Sequence, residues 1–287
     1  MKFTSKHKGI IYILGAAFFF ALMNLFIQLS GDLPTIQKCF FRNIVAFFFT
    51  LATIIRGKEG FHIGEGNVKY LLGRSISGVL GVICNFYAID HLNSISDASL
   101  LNKLSPFFAI IFSIFLIKEK PNRTEWLTVL IAFFGALFVI KPTAGLASFP
   151  AIAGLLGGMG AGLAYTFVRK LGIRGERGSM IVLFFSGSSS LFLLPFFLIG
   201  YEPMSPMQLI YLLLTGIAAT GGQFCITAAY SYSPAKEISV FDYTQVLFAA
   251  ILGFVFLGQL TDYLSFIGYI IIIGVAIYRW HYINHKS

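Results

Sequence analysis

Ten apolar stretches, each about 20 residues long, fill most of this sequence. A helix that crosses a bilayer core about 30 Å thick needs roughly 20 apolar residues, so each stretch predicts one spanning helix. The predicted spans are about 9–30, 34–55, 69–89, 94–117, 124–141, 151–171, 178–200, 208–231, 235–258 and 262–283. Because these spans leave no room for a separate soluble domain, the fold class is predicted to be an all-α integral membrane protein.

The composition excludes the other broad classes. Hydrophobic residues make up 57% of the chain and charged residues only 11%, whereas a soluble domain carries about 25% charged residues. This excludes soluble, disordered and collagen-like proteins. The first apolar stretch is also longer than the roughly 7–15 residues of a signal-peptide core, so it is predicted to remain as a spanning helix.

The distribution of lysine and arginine predicts the orientation. Cytoplasmic loops of membrane proteins carry the positive excess. With the N-terminus inside, most of the 21 basic residues, Arg74 among them, belong to inner segments. Both termini are therefore predicted to be cytoplasmic, and the net charge of +9 reflects this asymmetry rather than nucleic-acid binding. The exceptions are Lys38, Arg42, Lys103 and Lys141, of which Arg42 and Lys103 lie deeper within predicted spans.

The two halves of the chain align with each other. Residues 20–30 align with residues 162–172, and residues 88–120 align with residues 228–260. Each half holds five spans, an odd number, so the two copies enter the membrane from opposite sides. The sequence predicts ten transmembrane helices as two inverted five-helix repeats, 1–141 and 151–283, an arrangement that recurs in secondary transporters.

The sequence also resembles a known family. Five spans in each half, Arg42 in the second span and SPFFAIIFSIFLIKEK (105–120) at the end of the fourth are similar to the EamA-type family of the drug/metabolite transporter superfamily. Glu119 fits the glutamate with which the family tends to end this span, whereas Gln259 replaces the acid in the second half. The resemblance implies a ten-helix carrier of small organic solutes, whose central cavity is lined mainly by spans 1, 3, 4, 6, 8 and 9.

Polar side chains within the spans are the candidate site residues. Such residues are costly in a bilayer and usually face a partner or a water-filled cavity. We predict that ten of them line a substrate cavity: Asn24, Asn85, Asn102, Lys103, Tyr165, Gln223, Thr227, Tyr230, Asp242 and Tyr243. The amides and hydroxyls could alternatively hydrogen-bond between helices, and the tyrosines could simply pack. Arg42 and Pro106 are predicted to be structural or gating residues.

Lys103 and Asp242 are expected to meet. Asp242 aligns with Asn102, so the two opposite charges lie in matched spans. Their contact is either a static ion pair that fixes the packing of the halves, or a pair that opens when a charged substrate or a proton binds. Pro106 is expected to kink the fourth span and free the carbonyl of Asn102.

The glycines of GLLGGMGAGLA (154–164) are predicted to serve helix packing. Gly154, Gly158 and Gly162 recur every four residues, the spacing that lets membrane helices approach each other closely. The stretch lies within an apolar span and lacks the Gly-Lys-Ser/Thr ending of a phosphate-binding loop.

These features predict a secondary-active or facilitative transporter that exports a small organic metabolite or drug by alternating access. An uptake or exchange carrier of the same fold and a non-transporting scaffold or sensor subunit are the alternatives. A lipid-modifying enzyme or flippase is disfavoured, because no catalytic constellation or headgroup pocket stands out. The three cysteines suggest no disulfide or zinc site, so no cofactor or metal is expected.

The expected partners are a small organic solute and the lipid bilayer, with no nucleic acid. The expected location is a bacterial cytoplasmic membrane, as a monomer or a homodimer.

Overall fold

The computed structural model describes residues 5–58, 60–91, 101–141, 148–258 and 262–285. All regular secondary structure in these ranges is helical. The longer helices are α1 (Ser5–Leu29), α2 (Thr35–Arg56), α3 (Val68–His91), α4 (Ser105–Leu116), α5 (Arg123–Ile140), α6 (Phe149–Ile173), α7 (Gly178–Ile199), α8 (Pro206–Tyr232), α9 (Thr244–Leu257) and α10 (Tyr263–His285). A helical turn, Ala235–Ile238, and a 3-10 helix, Ser239–Tyr243, lead into α9.

Eight segments of the described chain are long and apolar enough to cross a membrane. They include Ala235–Leu257, which combines the two short elements with α9, and seven of the other helices. The eight leave out α3, which carries Lys69 and Arg74, and α4, which is apolar but only 12 residues long. Each of the ten predicted spans contains a helix. Two of these helices, α3 and α4, are not both long and apolar enough to be counted among the eight.

The fourth predicted span is not one continuous helix. The part of it at 94–100 lies outside the described residues. Within the described part, the chain turns at Lys103 and Leu104, and α4 begins only at Ser105. Pro106 occupies the first turn of α4, where its missing N–H would have had no helical partner. The span is thus interrupted close to where the kink was expected, by a turn at Lys103 and Leu104, and Pro106 lies in the first turn of the helix that follows.

The helices pack mainly across the two halves of the chain. Helix α1 lies against α8 and α9 of the second half, and α6 lies against α3 and α4 of the first. Helices α2 and α7 pack together, as do α5 and α10. The interior of the bundle is consequently built from both halves, with α1, α3, α4, α6, α8 and α9 around it.

Glycines allow α6 to approach two neighbours at once. A Cβ added at Gly160 would lie 2.8 Å from the Cα of Gly81 in α3. A Cβ added at Gly162 would lie 2.6 Å from the Cβ of Phe108 in α4. The helix-packing role predicted for Gly154, Gly158 and Gly162 is confirmed, since all three face residues 101–109.

Different polar contacts mark the two ends of the bundle. His7 and Asn284 are joined by a 2.7 Å hydrogen bond, so the two ends of the described chain meet on one side, here called the termini end. The opposite side, the far end, carries an ion pair of 2.5 Å between Lys141 and Asp262. Hydrogen bonds from Lys141 and Ser265 lower the pKa of Asp262 to about 2, so this pair stays charged at physiological pH.

The glycine contacts generate a stability prediction. Gly160→Ala places a methyl group against the backbone of α3, and we expect it to destabilise the bundle by about 1–3 kcal/mol. Gly274→Ala in α10 is the matched control, because no atom lies within 4 Å of an added Cβ there. Thermal unfolding of the purified protein in detergent measures both variants. Equal melting temperatures for the two would contradict the packing role of Gly160.

Candidate functional site

Two interrupted helices meet in the interior. Lys103 lies in the turn before α4, and Asp242 lies in the 3-10 helix before α9. The hydroxyl of Tyr243 donates a hydrogen bond of 2.9 Å to the carbonyl oxygen of Lys103. This bond joins the two interruptions and satisfies a backbone acceptor that the interrupted helix leaves free.

The ion pair expected from the sequence is present between these interruptions. The Nζ of Lys103 lies 3.3 Å from Oδ2 of Asp242, and the two side chains are only 13% and 9% exposed. The same ammonium group donates a 2.6 Å hydrogen bond to the side-chain oxygen of Gln245. Because both charges are largely removed from solvent, each depends on the other for compensation.

Of the three candidate tyrosines, only Tyr165 retains exposed surface. The rings of Tyr165 and Tyr230 stack with their centroids 4.9 Å apart and their planes 17° apart. Tyr230 is 1% exposed and Tyr243 is fully buried. The present conformation therefore offers Tyr165, rather than the other two, for contact with a ligand.

The candidate site residues on α8 are buried. Gln223, Thr227 and Tyr230 are 7%, 1% and 1% exposed. The side-chain oxygen of Gln223 accepts a 3.2 Å hydrogen bond from Arg74. The hydroxyl of Thr227 makes no hydrogen bond within the described chain, and its methyl group lies beside Gly178 at the start of α7.

The three candidate asparagines are placed differently from one another. Asn102 is half-buried directly before the turn that contains Lys103, and Asn24 is exposed on α1. Asn85 is half-buried, and its backbone faces Gly157 of α6. In the part of the chain that the structure describes, no hydrogen bond joins Asn24 or Asn85 to Lys103 or Asp242.

Arg74 is a candidate that the sequence reasoning missed. It was assigned to an inner segment from its nearness to a span end, yet it is 3% exposed inside the bundle. Its guanidinium lies 3.8 Å from the ring centroid of Phe185, and its Nε has no hydrogen-bond partner. The signal in the sequence is Gly78, one turn further on. The structure explains it, because a Cβ at Gly78 would collide with the guanidinium of Arg74.

Arg42 is a second arginine inside the bundle. It is half-buried in α2, and its Nε is buried without a hydrogen-bond partner. Among the described residues, neither Arg42 nor Arg74 forms an ion pair with a carboxylate. In the described part of the chain, Lys103 is thus compensated by an acidic side chain, whereas Arg42 and Arg74 are not.

Charged contacts join the two halves at the termini end. Arg169 of α6 forms a 3.2 Å ion pair with Glu119 and donates a 3.0 Å hydrogen bond to the carbonyl oxygen of Ser231. Arg279 of α10 forms a 3.2 Å ion pair with Glu125 of α5. These contacts hold α4, α6, α8, α5 and α10 together at that end.

A third contact at the termini end connects loops. The carboxylate of Glu176 accepts hydrogen bonds of 3.0 Å from the backbone N–H of Gly64 and 2.8 Å from the amide of Asn67. The amide oxygen of Asn67 accepts a 2.5 Å hydrogen bond from Arg174. The loop between α2 and α3 is thereby fixed to the loop between α6 and α7.

Comparison with known proteins identifies relatives over nearly the whole chain. The model of the EamA-like transporter family matches twice, at residues 7–141 and 148–279. The pseudopaline exporter CntI of Pseudomonas aeruginosa is 30% identical over 272 residues, which cover 94% of each chain. Human solute carrier family 35 member G1 is 24% identical and covers 95% of this chain and 80% of its own length.

A protein of known crystal structure has the same fold. It superposes with a TM-score of 0.80 and covers 93% of this chain and 94% of its own. The two sequences are only 14% identical, so this likeness concerns the fold alone.

The buried ion pair generates a prediction for stability. Lys103→Met or Asp242→Asn alone leaves one buried group uncompensated, whereas the double variant removes both, so the single effects should exceed their combination. We expect a coupling of about 0.5–3 kcal/mol in a double-mutant cycle measured by thermal unfolding in detergent. Lys141→Met and Asp262→Asn at the exposed far-end pair form the control cycle and should show little coupling. Additive effects at Lys103 and Asp242 would contradict mutual compensation.

Proposed function

Because this chain belongs to the EamA-like transporter family, whose members are transporters and not enzymes, we propose that it moves a small organic metabolite or drug across a membrane. The chain is an integral multi-pass membrane protein. Its transport is secondary-active or facilitative. The observation that carries the proposal is the match of a transporter family model to both halves of the chain, whose interface holds the Lys103–Asp242 pair.

The architecture that we propose is ten transmembrane helices in two inverted repeats, 1–141 and 151–283, with both termini in the cytoplasm. The pattern of helix contacts supports it. If the halves are equivalent, the packing of α1 on α8 and α9 corresponds to the packing of α6 on α3 and α4. The pairs α2 with α7 and α5 with α10 are then contacts between equivalent helices.

The substrate site in this proposal lies where the halves meet. Transporters built from inverted repeats bind substrate near the midplane, beside interrupted helices. The turn at Lys103 and the 3-10 helix at Asp242 are interruptions of this kind. We assign to the site the candidate residues Asn24, Asn85, Asn102, Lys103, Tyr165, Gln223, Thr227, Tyr230, Asp242 and Tyr243.

Alternating access then requires the two halves to rock about this site. Opening toward the termini end has to separate Arg169 from Glu119. It also has to break the hydrogen bond between Glu176 and Asn67. The ion pair of Arg169 and Glu119 is 16% and 11% exposed at its two side chains. This pair is buried to about the same degree as the Lys103–Asp242 pair, so its separation requires water to enter this end and solvate both charges as the halves part.

We further propose export across a bacterial cytoplasmic membrane. The name of the P. aeruginosa relative, an exporter, supports this direction. Uptake or exchange by the same architecture would use the same site and the same closure at the termini end.

The transport proposal is tested with proteoliposomes loaded with a defined mixture of metabolites. The wild-type protein should release at least one component selectively, as measured by mass spectrometry of the medium. Lys103→Ala and Asp242→Asn should each reduce that release by about tenfold or more, because each leaves an uncompensated charge in the site. Lys141→Ala, at the exposed far-end pair, is the matched control and should retain release. Full wild-type flux in both site variants would end the assignment of these residues.

The closure at the termini end is tested by cross-linking. Glu119→Cys and Arg169→Cys are combined in a protein whose three native cysteines are replaced by serine. A short bis-methanethiosulfonate reagent, which forms a disulfide with each cysteine, should join the two halves and stop release, and a thiol reductant should cleave both disulfides and restore it. Each single-cysteine protein serves as a control. Undiminished release from the cross-linked protein would show that this end need not open.

A further inference from the structure

We propose that the interior site takes an organic oxyanion, bound through a carboxylate or phosphate group by Arg42 and Arg74. The proposal rests on the transport function and narrows its substrate class. Its starting point is the charge of the interior: Arg42, Arg74 and Lys103 lie there, and among the described residues Asp242 is paired with Lys103 alone.

Arg74 is buried far more completely than its contacts explain. It is 3% exposed, and a guanidinium offers five N–H donors. The hydrogen bond to Gln223 uses one donor, and the ring of Phe185 covers one face. Its Nε points to no acceptor. Buried donors in native structures nearly always have a hydrogen-bond acceptor. The N–H without one therefore indicates a place for an acceptor from outside the chain.

Arg42 of α2 also has a donor without a partner. Its Nε is buried without a partner, and the thiol of Cys39, a weak acceptor, is its neighbour in α2. Arg42 lies close enough to Arg74 for the two charges to repel each other. Like charges in a medium of low dielectric constant are unfavourable unless an anion lies between them.

The other charges of the described residues do not neutralise the arginines. Asp242 is already engaged by Lys103 at 3.3 Å. Tyr165 is near enough to interact with Arg42, Arg74 and Asp242, which places the four groups in one region. With the lysine and the aspartate cancelling, the described residues leave two positive charges for the ligand. Guanidinium groups bind carboxylates and phosphates through paired hydrogen bonds, which makes them suited to such an anion.

The surroundings of the arginines fit an organic anion. The half-buried ring of Tyr165 borders the charged groups, and it offers apolar surface for a carbon skeleton. Gly78 keeps the space into which Arg74 extends, since a Cβ there would meet both the guanidinium and the ring of Phe185. Gly78 thus leaves room for the guanidinium of Arg74 because glycine has no side chain.

The test compares the stability of the whole protein in detergent with and without probes. The probes are citrate and succinate as carboxylates, glycerol 3-phosphate as a phosphate ester, and tetraethylammonium as a cation. At least one oxyanion should raise the melting temperature of the wild-type protein, whereas tetraethylammonium should not. Whether the carboxylates or the phosphate ester act identifies the preferred oxyanion. Stabilisation by the cation alone, or by none of the probes, would overturn the proposal.

Two variants separate binding from a structural role. Arg74→Gln should weaken oxyanion binding by about tenfold or more, and in a buffer without oxyanions it should melt no lower than wild type, because it removes a repelled charge. An arginine that served only packing would lose stability in both buffers, which contradicts the proposal. Arg42→Gln provides the same comparison if Arg74→Gln does not fold. Arg56→Gln, on the exposed last turn of α2, is the matched control and should bind as wild type does.

The same proteoliposomes distinguish this proposal from the transport function. Oxyanion binding without release of any solute would leave the anion site standing and remove the transport proposal. Selective release of cationic or neutral solutes, with no effect of oxyanions, would leave transport standing and remove the anion site.

Discussion

Charge carried into the apolar interior of this bundle has to find its compensation within the chain, and the central structure is arranged around that constraint. Lys103 reaches Asp242 and Gln245, and the hydroxyl of Tyr243 bonds to the carbonyl of Lys103. The bond to the carbonyl of Lys103 depends on the interruption, since a regular helix uses its own backbone groups. The interruptions before α4 and α9 therefore have a chemical purpose. They free backbone acceptors and bring charged side chains from opposite halves together.

Close helix packing makes that arrangement possible. Gly157 and Gly160 let α6 lie against the backbone of α3, and Gly154, Gly158 and Gly162 let it lie against residues 101–109. In a bilayer there is little hydrophobic drive between helices, so such close contact is a main source of association. The same helices hold Tyr165, Arg74 and the turn at Lys103. The helices that pack closely are thus the same helices that carry the polar side chains of the interior.

Much of this could be predicted from the sequence, for reasons that differ from residue to residue. Spans follow from apolar length, and the Lys103–Asp242 contact follows from aligning the two halves. The break before α4 was hidden because the apolar run continues through it, and Pro106 is compatible with either a kink or a helix start. Arg74 was missed because proximity to a span end looks the same for a loop residue and for a side chain that extends inward. Its burial depends on Gly78 and Phe185, the second of which lies far away in the sequence.

The packing across the halves also has a consequence for how the protein is made. Helices α1, α3 and α4 emerge from the ribosome before α6, α8 and α9, their main packing partners, have been synthesised. Until then, the glycine faces of α3 and the ammonium group of Lys103 lack the surfaces and the carboxylate that accommodate them. The first half must therefore wait, in the insertion machinery or in the bilayer, for the second half. Biogenesis of this fold is in this sense a late, cooperative event, and a chain truncated after residue 141 would be left with its most polar surfaces uncovered.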